Sequence, residues 1–225
     1  MDIVRAVGVE GARNARGVVV VIDVLRSFTV SAYALAGGAR ECVLVSTVDD
    51  ARRLAETMPD ALVCAEENAL PIPGIAISNS PTQIKQADLS GKSLIQRSTA
   101  GTPVMAAVRS EEGMFAGSLV VARATAQACL SRRPGAITLV ASADFPEDHA
   151  CARYLEAVLR GRELDIDPLL EPLRHSERYR KVMAGEWPGF PPTDIELALA
   201  VDRFDFAMPA TRREGLIAVS AAKPR

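Results

Sequence analysis

The stretch Val18-Val-Val-Val-Ile-Asp-Val-Leu-Arg-Ser-Phe-Thr29 decides the fold of this chain. Its β-branched run Val18–Ile22 is typical of a strand that is buried on both faces of a parallel sheet. Ligands of such sheets bind beyond the carboxyl ends of the strands, which is where Asp23, Arg26 and Ser27 follow. A carboxylate suits a divalent cation, and a guanidinium suits an oxyanion. The segment therefore indicates a metal and phosphate site, although Asp23 could equally cap the next helix.

The composition is that of an ordinary globular protein. The 225 residues are 48% hydrophobic and 24% charged, and the four cysteines are widely spaced. The net charge of −2 gives no reason to expect nucleic acid or an acidic membrane surface as a partner. Because there is no C-x-x-C pair, no signal-peptide pattern and no apolar run of membrane-spanning length, we expect a reduced, cytoplasmic protein.

Strand and helix patterns alternate along most of the chain. Strands are predicted at residues 17–23, 42–46, 61–65, 93–97, 118–121 and 136–141. Helices are predicted at residues 29–36, 48–58, 102–109, 125–131 and 147–160. Such alternation predicts an α/β fold, in which helices cover both faces of a mostly parallel sheet.

The last third of the chain breaks this alternation, beginning with the proline-rich and charged residues 164–192. Helices are expected around 175–183 and 193–200, and edge strands at 206–209 and 216–219. We expect a single domain over residues 1–225, with 164–225 as a C-terminal extension packed on the sheet, because this part has little apolar mass of its own. Its apolar patch at 187–192 could pack on its own domain or form a homodimer contact.

Polar side chains follow five of the predicted strands, where a shared site requires them. They are Asp23, Arg26 and Ser27; Glu66, Glu67 and Asn68; residues 98–102; Arg123 and Thr125; and Ser142, Asp144, Glu147 and Asp148. A single cluster is more often a helix cap, but five at one sheet edge predict a wide polar crevice. Its carboxylates suit Mg²⁺, and the small-residue turn Ser98-Thr-Ala-Gly-Thr102 would cradle an anion. Glu147 and Asp148 could instead be favoured by a helix dipole.

Six segments, in this order, resemble the motifs of a known family. They are Val21-Ile-Asp-Val-Leu-Arg-Ser27, Ala34-Leu-Ala-Gly-Gly-Ala39, Asn79-Ser-Pro81, Ser98-Thr-Ala-Gly-Thr102, Glu147-Asp148 with Cys151-Ala152, and Asp202-Arg-Phe-Asp-Phe-Ala-Met-Pro209. The chain resembles the magnesium-dependent 2-phosphosulfolactate phosphatase family, an α/β family, nearly from end to end. The resemblance implies removal of phosphate from a small acidic hydroxy-acid phosphate.

The resemblance also implies roles for individual residues. The catalytic residues would be Asp23, Glu147 and Asp148, and the ligands of Mg²⁺ would be Asp23, Glu66 and Asp148. The residues that bind the small anionic phosphorylated substrate would be Arg26, Ser27, Asn79, Ser98, Thr99, Gly101 and Thr102, with Arg123 on its second anionic group. Because the chain lacks a D-x-D-x-T motif, we expect direct attack by water rather than a covalent aspartyl-phosphate.

The chain departs from the family at Glu67, Ala76 and Ala100, where arginine, aspartate and asparagine are usual. Glu67 reverses a charge beside the expected anion pocket, and the other two changes remove polar groups. A second function therefore stays open, that of a non-catalytic homologue that binds a small anionic metabolite.

Overall fold

A ten-stranded mixed sheet forms the centre of the computed structural model, which describes residues 1–224. The strands are β1 Asp2–Val7, β2 Val18–Ile22, β3 Glu41–Leu44, β4 Ala61–Glu67, β5 Leu70–Pro71, β6 Ser93–Arg97, β7 Met114–Gly117, β8 Ala136–Ala141, β9 Met208–Arg213 and β10 Leu216–Val219. Their order across the sheet is β1-β8-β2-β7-β9-β10-β3-β6-β4-β5. Pairing is parallel except around β9, β10 and β5, so the predicted α/β fold is confirmed.

Ten α-helices connect or follow these strands in residues 1–224. They are α1 Gly8–Arg13, α2 Ser27–Ala36, α3 Val48–Thr57, α4 Pro81–Ile84, α5 Gly101–Ala107, α6 Ala122–Ser131, α7 Pro146–Leu159, α8 Asp167–Arg174, α9 Glu177–Met183 and α10 Pro192–Ala198. Within the same residues, none of these helices has the length and apolar character that crossing a bilayer requires.

Strand β2 lies between the parallel strands β8 and β7, and all five of its residues are buried. Its side chains alternate between two hydrophobic layers. Val19 and Val21 pack into one layer, and Val18, Val20 and Ile22 pack into the other. A strand covered on both faces has no polar side, which explains why its sequence is an unbroken apolar run.

The position of the C-terminal hairpin in the sheet differs from the prediction. The sequence predicts its two strands at an edge, but β9 and β10 lie between β7 and β3 in the middle of the sheet. Their turn residues Glu214 and Gly215 both have positive φ, which suits a tight two-residue hairpin. The prediction is wrong because strand order depends on long-range pairing, which position along the chain does not determine. Strands β9 and β10 therefore join the two parallel parts of the sheet.

Two further predictions need correction. The segment predicted as a strand at 118–121 is the 3-10 helix Leu119–Val121, and the strand β7 precedes it. Leu119, Val120 and Val121 are fully buried, and a short buried apolar run does not distinguish strand from helix. The first strand, β1, is absent from the prediction because it is an edge strand whose exposed positions hold both charged and apolar residues, so that it lacks a continuous apolar run.

Helix α2 explains how distant strand ends meet. Residues 27–35 of this helix are all buried, so it has no solvent-facing side. The Gln96 side chain of β6 donates to the Ser27 carbonyl at 2.7 Å and accepts from Ser31 Oγ at 2.6 Å. Four strands separate β2 from β6 in the sheet. Because α2 starts beside β2 and contacts β6, the sheet curves around this helix and brings the two carboxyl ends together.

Candidate active site

Asp23 lies directly beyond β2, at the position that the sequence predicts. Its Oδ1 accepts the Ser27 backbone N–H at 3.0 Å, which starts α2. Its Oδ2 faces Gly101, where an added Cβ would stand 2.6 Å from this oxygen. Burial raises the pKa of Asp23 from 3.8 to about 6; the Ser27 N–H opposes the shift, and the negative charges of Glu66 and Glu147 add to it. Asp23 therefore presents one carboxylate oxygen that no hydrogen bond within residues 1–224 occupies.

Asp148 joins the ends of two strands. It accepts the Val24 N–H at 2.8 Å through Oδ1, and Ser142 N–H and Oγ at 3.2 and 2.8 Å through Oδ2. Burial, followed by the charges of Asp23 and Glu147, raises the pKa of Asp148 well above its usual range. Because both of its oxygens bind protein donors, Asp148 holds the segments that carry Asp23 in place.

Glu147 is fully buried in the first turn of α7. Its Oε1 pairs with the Arg178 guanidinium, whereas its Oε2 is a buried oxygen without a hydrogen-bond partner in the described residues. Buried polar atoms are nearly always paired in folded proteins. An unpaired carboxylate oxygen beside Asp23 is therefore a candidate for contact with a bound cation.

Glu66 connects β4 to the loop that follows β6. Its Oε1 accepts the Thr99 N–H, and its Oε2 accepts Thr99 Oγ1 at 3.0 Å and the Ala69 N–H. Both carboxylate oxygens thus bind protein donors, as in Asp148. Glu66 brings Thr99 to the same pocket as Asp23, as the sequence predicts for the ends of parallel strands.

The turn at 98–102 is held by its own hydroxyl groups. Ser98 Oγ accepts the Thr102 N–H at 3.0 Å, and Thr102 Oγ1 donates to the Ser98 carbonyl at 3.0 Å. Ser98 therefore satisfies one backbone N–H at the start of α5, and the Thr102 hydroxyl binds back to the turn. The predicted ligand Asn79 has a φ of 55°, a left-handed conformation that asparagine tolerates, and its Oδ1 accepts Gln96 Nε2 at 3.2 Å.

Arg26 is buried, and its guanidinium is held on three sides. Nη1 donates to Asp194 Oδ2 at 3.0 Å and to the Gly189 carbonyl at 2.6 Å. The guanidinium carbon lies 3.9 Å from the centroid of the Phe190 ring, a cation–π contact. Asp194 also accepts Ser80 Oγ at 2.7 Å, so one carboxylate joins α10, α4 and the segment after β2.

Replacement of Asp194 by asparagine is expected to lower the free energy of unfolding by about 3 kcal/mol, because the buried Arg26 loses its charge partner. Urea denaturation followed by circular dichroism measures this change. Asp205→Asn is the matched control, since Asp205 pairs with Lys223 at an exposed position and its loss should leave the midpoint unchanged. An Asp194→Asn midpoint equal to that of the wild type would contradict the expectation.

Several of these groups line a cavity of about 280 Å³. It is lined by Asp23, Leu25, Arg26, Glu66, Asn68, Ala69, Asn79, Ser98, Thr99, Ala100, Phe145, Arg178, Trp187 and Phe190. Six residues from the predicted site lie in this lining: Asp23, Arg26, Glu66, Asn79, Ser98 and Thr99. The structure thus brings together strand ends that are far apart in the sequence.

Other predicted residues lie outside this lining, among them the buried Glu147 and Asp148. Gly101 and Ser27 stand directly behind Asp23, and Thr102 is buried in the first turn of α5. Arg123 is not part of the lining, because its backbone and guanidinium bind Asp202 and its Nη2 donates to Tyr154. Nothing in its surroundings connects Arg123 to the cavity.

The C-terminal segment supplies lining residues that the sequence interpretation missed. Arg178 of α9 pairs with Glu147 and stacks on Phe145, with its guanidinium carbon 4.2 Å from the ring centroid. Trp187 and Phe190 pack over the cavity of their own chain, and Trp187 Nε1 donates to the Ala69 carbonyl at 3.1 Å. The signal in the sequence that could have found Trp187 and Phe190 is the apolar character of residues 187–190 within a charged segment.

The carboxylates of this site fit a hard divalent cation. Mg²⁺ in proteins is held by one or two carboxylates, with substrate phosphate and water completing its shell. Asp23 Oδ2 and Glu147 Oε2 are the two oxygens that protein donors leave open. Among residues 1–224 no three His, Cys, Asp or Glu side chains form a ready-made metal cage.

The chain is similar to one family over most of its length. The model of the 2-phosphosulpholactate phosphatase family matches residues 6–184. A probable 2-phosphosulfolactate phosphatase of Bacillus subtilis is 33% identical over 193 residues, which are 84% of this chain and 85% of that protein. Proteins of the same name are 34% identical in Carboxydothermus hydrogenoformans, over 67% of this chain and 64% of that one, and 31% identical in Thermoplasma acidophilum, over 81% of each.

Proposed function

This chain belongs to the 2-phosphosulpholactate phosphatase family, and we propose that it is a Mg²⁺-dependent phosphatase of a small anionic phosphate monoester. The name of the family, 2-phosphosulpholactate phosphatase, describes a phosphoric monoester hydrolase, so the chain is assigned to this class of enzyme. The observation that carries the proposal is Asp23, a residue with one carboxylate oxygen free of hydrogen bonds in the described residues, which lines a cavity together with Arg26 and Arg178. A carboxylate and two guanidinium groups in one cavity suit the hydrolysis of a phosphate ester.

The charges around the cavity support a role for a cation. The carboxylates of Asp23, Glu66, Glu147 and Asp148 lie close enough together to affect the pKa values of Asp23 and Asp148. Arg178 is already paired with Glu147, and Arg26 with Asp194. A phosphate group entering this site would meet an excess of negative charge, which a divalent cation offsets.

Asp23 and Glu147 would hold this Mg²⁺, which supplies charge neutralisation at the phosphoryl oxygens when bound. Arg26 binds the phosphate and holds it in one orientation, because its guanidinium is fixed by Asp194 and Phe190. The Asp23 carboxylate also orients the attacking water. As the new oxygen–phosphorus bond forms and the ester bond breaks, the proton that the water loses passes to the departing ester oxygen, which leaves as the alcohol.

Phosphate release from a panel of phosphorylated 2-hydroxy acids, measured with Mg²⁺ and with EDTA, tests the proposal. We expect turnover of at least one ester, and loss of that turnover in EDTA. Thermal stabilisation by the same compounds without any turnover would overturn the phosphatase and favour a non-catalytic binding protein. Turnover that EDTA leaves unchanged would overturn the role of the cation.

The binding of Mg²⁺ is expected to weaken as the pH falls. Because the pKa of Asp23 is about 6, protons occupy this carboxylate at pH 5 and compete with the cation. Isothermal titration calorimetry should give a Kd roughly tenfold higher at pH 5 than at pH 7.5, since one pKa unit corresponds to a tenfold change. Asp23→Asn is the control, because its affinity should be low and nearly independent of pH. An equal Kd at both pH values in the wild type would contradict this.

A further inference from the structure

The two arginines of the cavity are held in the same manner. Arg26 pairs with one carboxylate, Asp194, and stacks on Phe190. Arg178, on a different helix, pairs with Glu147 and stacks on Phe145. A guanidinium that is fixed by an acid and an aromatic ring loses little freedom when it binds a planar or tetrahedral anion. The cavity therefore offers two preorganised side-chain cations, in addition to the proposed Mg²⁺ that offsets the carboxylates of the site.

No third cationic side chain lines this cavity within residues 1–224. Arg97 is the nearest candidate by position, because it ends β6 beside Ser98 and Thr99. Its Nη1 donates to the Glu66 carbonyl, and its Nη2 lies 3.7 Å from the carboxylate of the exposed Glu67. Arg97 therefore points to the loops around the site and is not part of the cavity lining.

One wall of the cavity is apolar, and the rest of the lining includes the uncharged polar residues Asn68, Asn79, Ser98 and Thr99. Leu25, Ala69 and Trp187 contribute carbon surface, and Phe145 and Phe190 add the rings under the two guanidinium groups. The Trp187 ring is fixed by the hydrogen bond from its Nε1 to the Ala69 carbonyl. A third acid group placed against this wall would lose its hydration without gaining a partner, whereas a methyl or methylene group would be stabilised there.

We infer that the preferred substrate carries one acid group beside its phosphate, together with an uncharged, apolar substituent. Arg26 binds the phosphate, Arg178 binds the acid group, and the apolar wall receives the substituent. This inference rests on the proposed phosphatase function and narrows it, because 2-phosphosulfolactate carries a third anionic group, the sulfonate. Arg178 is then a residue that determines specificity.

Two esters that differ at one position test the inference. In 2-phospholactate a methyl group stands where 2-phosphosulfolactate carries a sulfonated methylene. We expect kcat/KM for phosphate release, with Mg²⁺ present, to be at least about tenfold higher for 2-phospholactate. Equal values, or a preference for the sulfonate, would overturn the inference and leave the phosphatase function intact. Turnover of neither these two esters nor any other phosphorylated hydroxy acid would overturn both.

A third cation introduced into the apolar wall should reverse the preference. Ala69→Lys places an ammonium at the cavity without disturbing either arginine pair, and Ala69→Gln is the matched control of similar length without charge. We expect the ratio of kcat/KM for 2-phosphosulfolactate over 2-phospholactate to rise about tenfold in the lysine variant relative to the glutamine variant. Equal ratios in the two variants would overturn the assignment of this wall.

The role of Arg178 is tested by a substitution that keeps its charge. Arg178→Lys retains a cation beside Glu147 but loses the planar two-point contact with an acid group. The ratio of kcat/KM for 2-phospholactate over isopropyl phosphate, which lacks the acid group, is expected to fall at least about tenfold. An equal loss for both esters would show a structural role and overturn the assignment of Arg178.

Discussion

Asp23→Asn is expected to lower kcat by about 10,000-fold, the size of loss seen when a catalytic carboxylate is removed. The asparagine oxygen can still accept the Ser27 N–H, so the start of α2 is retained. What disappears is the negative charge of a carboxylate that lines the cavity, with its Oδ2 beside Gly101. Steady-state phosphate release from an active ester measures the effect, and Asp88→Asn, at an exposed ion pair with Lys92, is the control.

The same substitution should make the protein more stable above pH 6. The pKa of Asp23 is about 6 in the folded chain and 3.8 as the reference for the unfolded one. A carboxyl group with a raised pKa binds its proton more tightly in the folded chain. Protonated Asp23 therefore adds to the free energy of unfolding below pH 3.8, and this contribution is lost as the pH rises through 6. Ionised Asp23 therefore costs about 3 kcal/mol at pH 8, since each pKa unit corresponds to about 1.4 kcal/mol.

Thermal unfolding in EDTA tests this linkage. The melting temperature of Asp23→Asn should exceed that of the wild type at pH 8, and the difference should shrink near pH 4. An inactive variant that is also less stable at pH 8 would indicate a damaged fold instead of a missing carboxylate. A variant with an unchanged rate would remove Asp23 from the chemistry.

The meeting of Asp23, Glu66 and Thr99 could be predicted because parallel strands end on the same side of a sheet. Each of these residues directly follows or ends a buried run, and each lines the cavity. The buried positions of Cys42 and Cys64 follow from the same patterns, since apolar strands bury small thiols. The local pattern of apolar residues is sufficient to predict both the strand ends and the buried cysteines.

The sequence could not predict which carboxylate oxygens bind protein donors and which stay open to a ligand. Asp148 and Glu66 have the residue type of a metal ligand, yet each places both oxygens on protein N–H or hydroxyl groups. Glu147, beside Asp148 in the same turn, instead leaves one oxygen unpaired. The difference arises from which loop lies against each side chain, and this depends on tertiary packing.

The contribution of the C-terminal part to the sheet and the cavity could not be predicted either, because it depends on long-range contacts. Its hairpin strands β9 and β10 enter the middle of the sheet, and Arg178 reaches Glu147 from a short charged helix. A helix of seven residues with exposed charges resembles any solvated surface segment. Nothing local to Arg178 indicates that its partner is a buried carboxylate elsewhere in the chain.

Gly101→Ala is expected to lower kcat/KM by roughly 1,000-fold while leaving the fold in place. The added Cβ would stand 2.6 Å from Asp23 Oδ2 and 3.0 Å from Ser27 Oγ, so the Asp23 carboxylate must turn away. Displacement of a catalytic group by about 1 Å can cost about 100-fold, and here the open oxygen itself is displaced. Gly101 begins α5 with a φ outside the left-handed region, so alanine fits its backbone.

Gly135→Ala is the matched control, because its φ is also ordinary and no atom lies within 4 Å of the added Cβ. Both variants should unfold cooperatively, as followed by circular dichroism, and only Gly101→Ala should lose activity. A Gly101→Ala enzyme that retains wild-type kcat/KM would show that Asp23 Oδ2 works in another orientation. If the double variant Gly101→Ala/Ser27→Ala regains activity, the clash that matters is the one between the added Cβ and Ser27 Oγ.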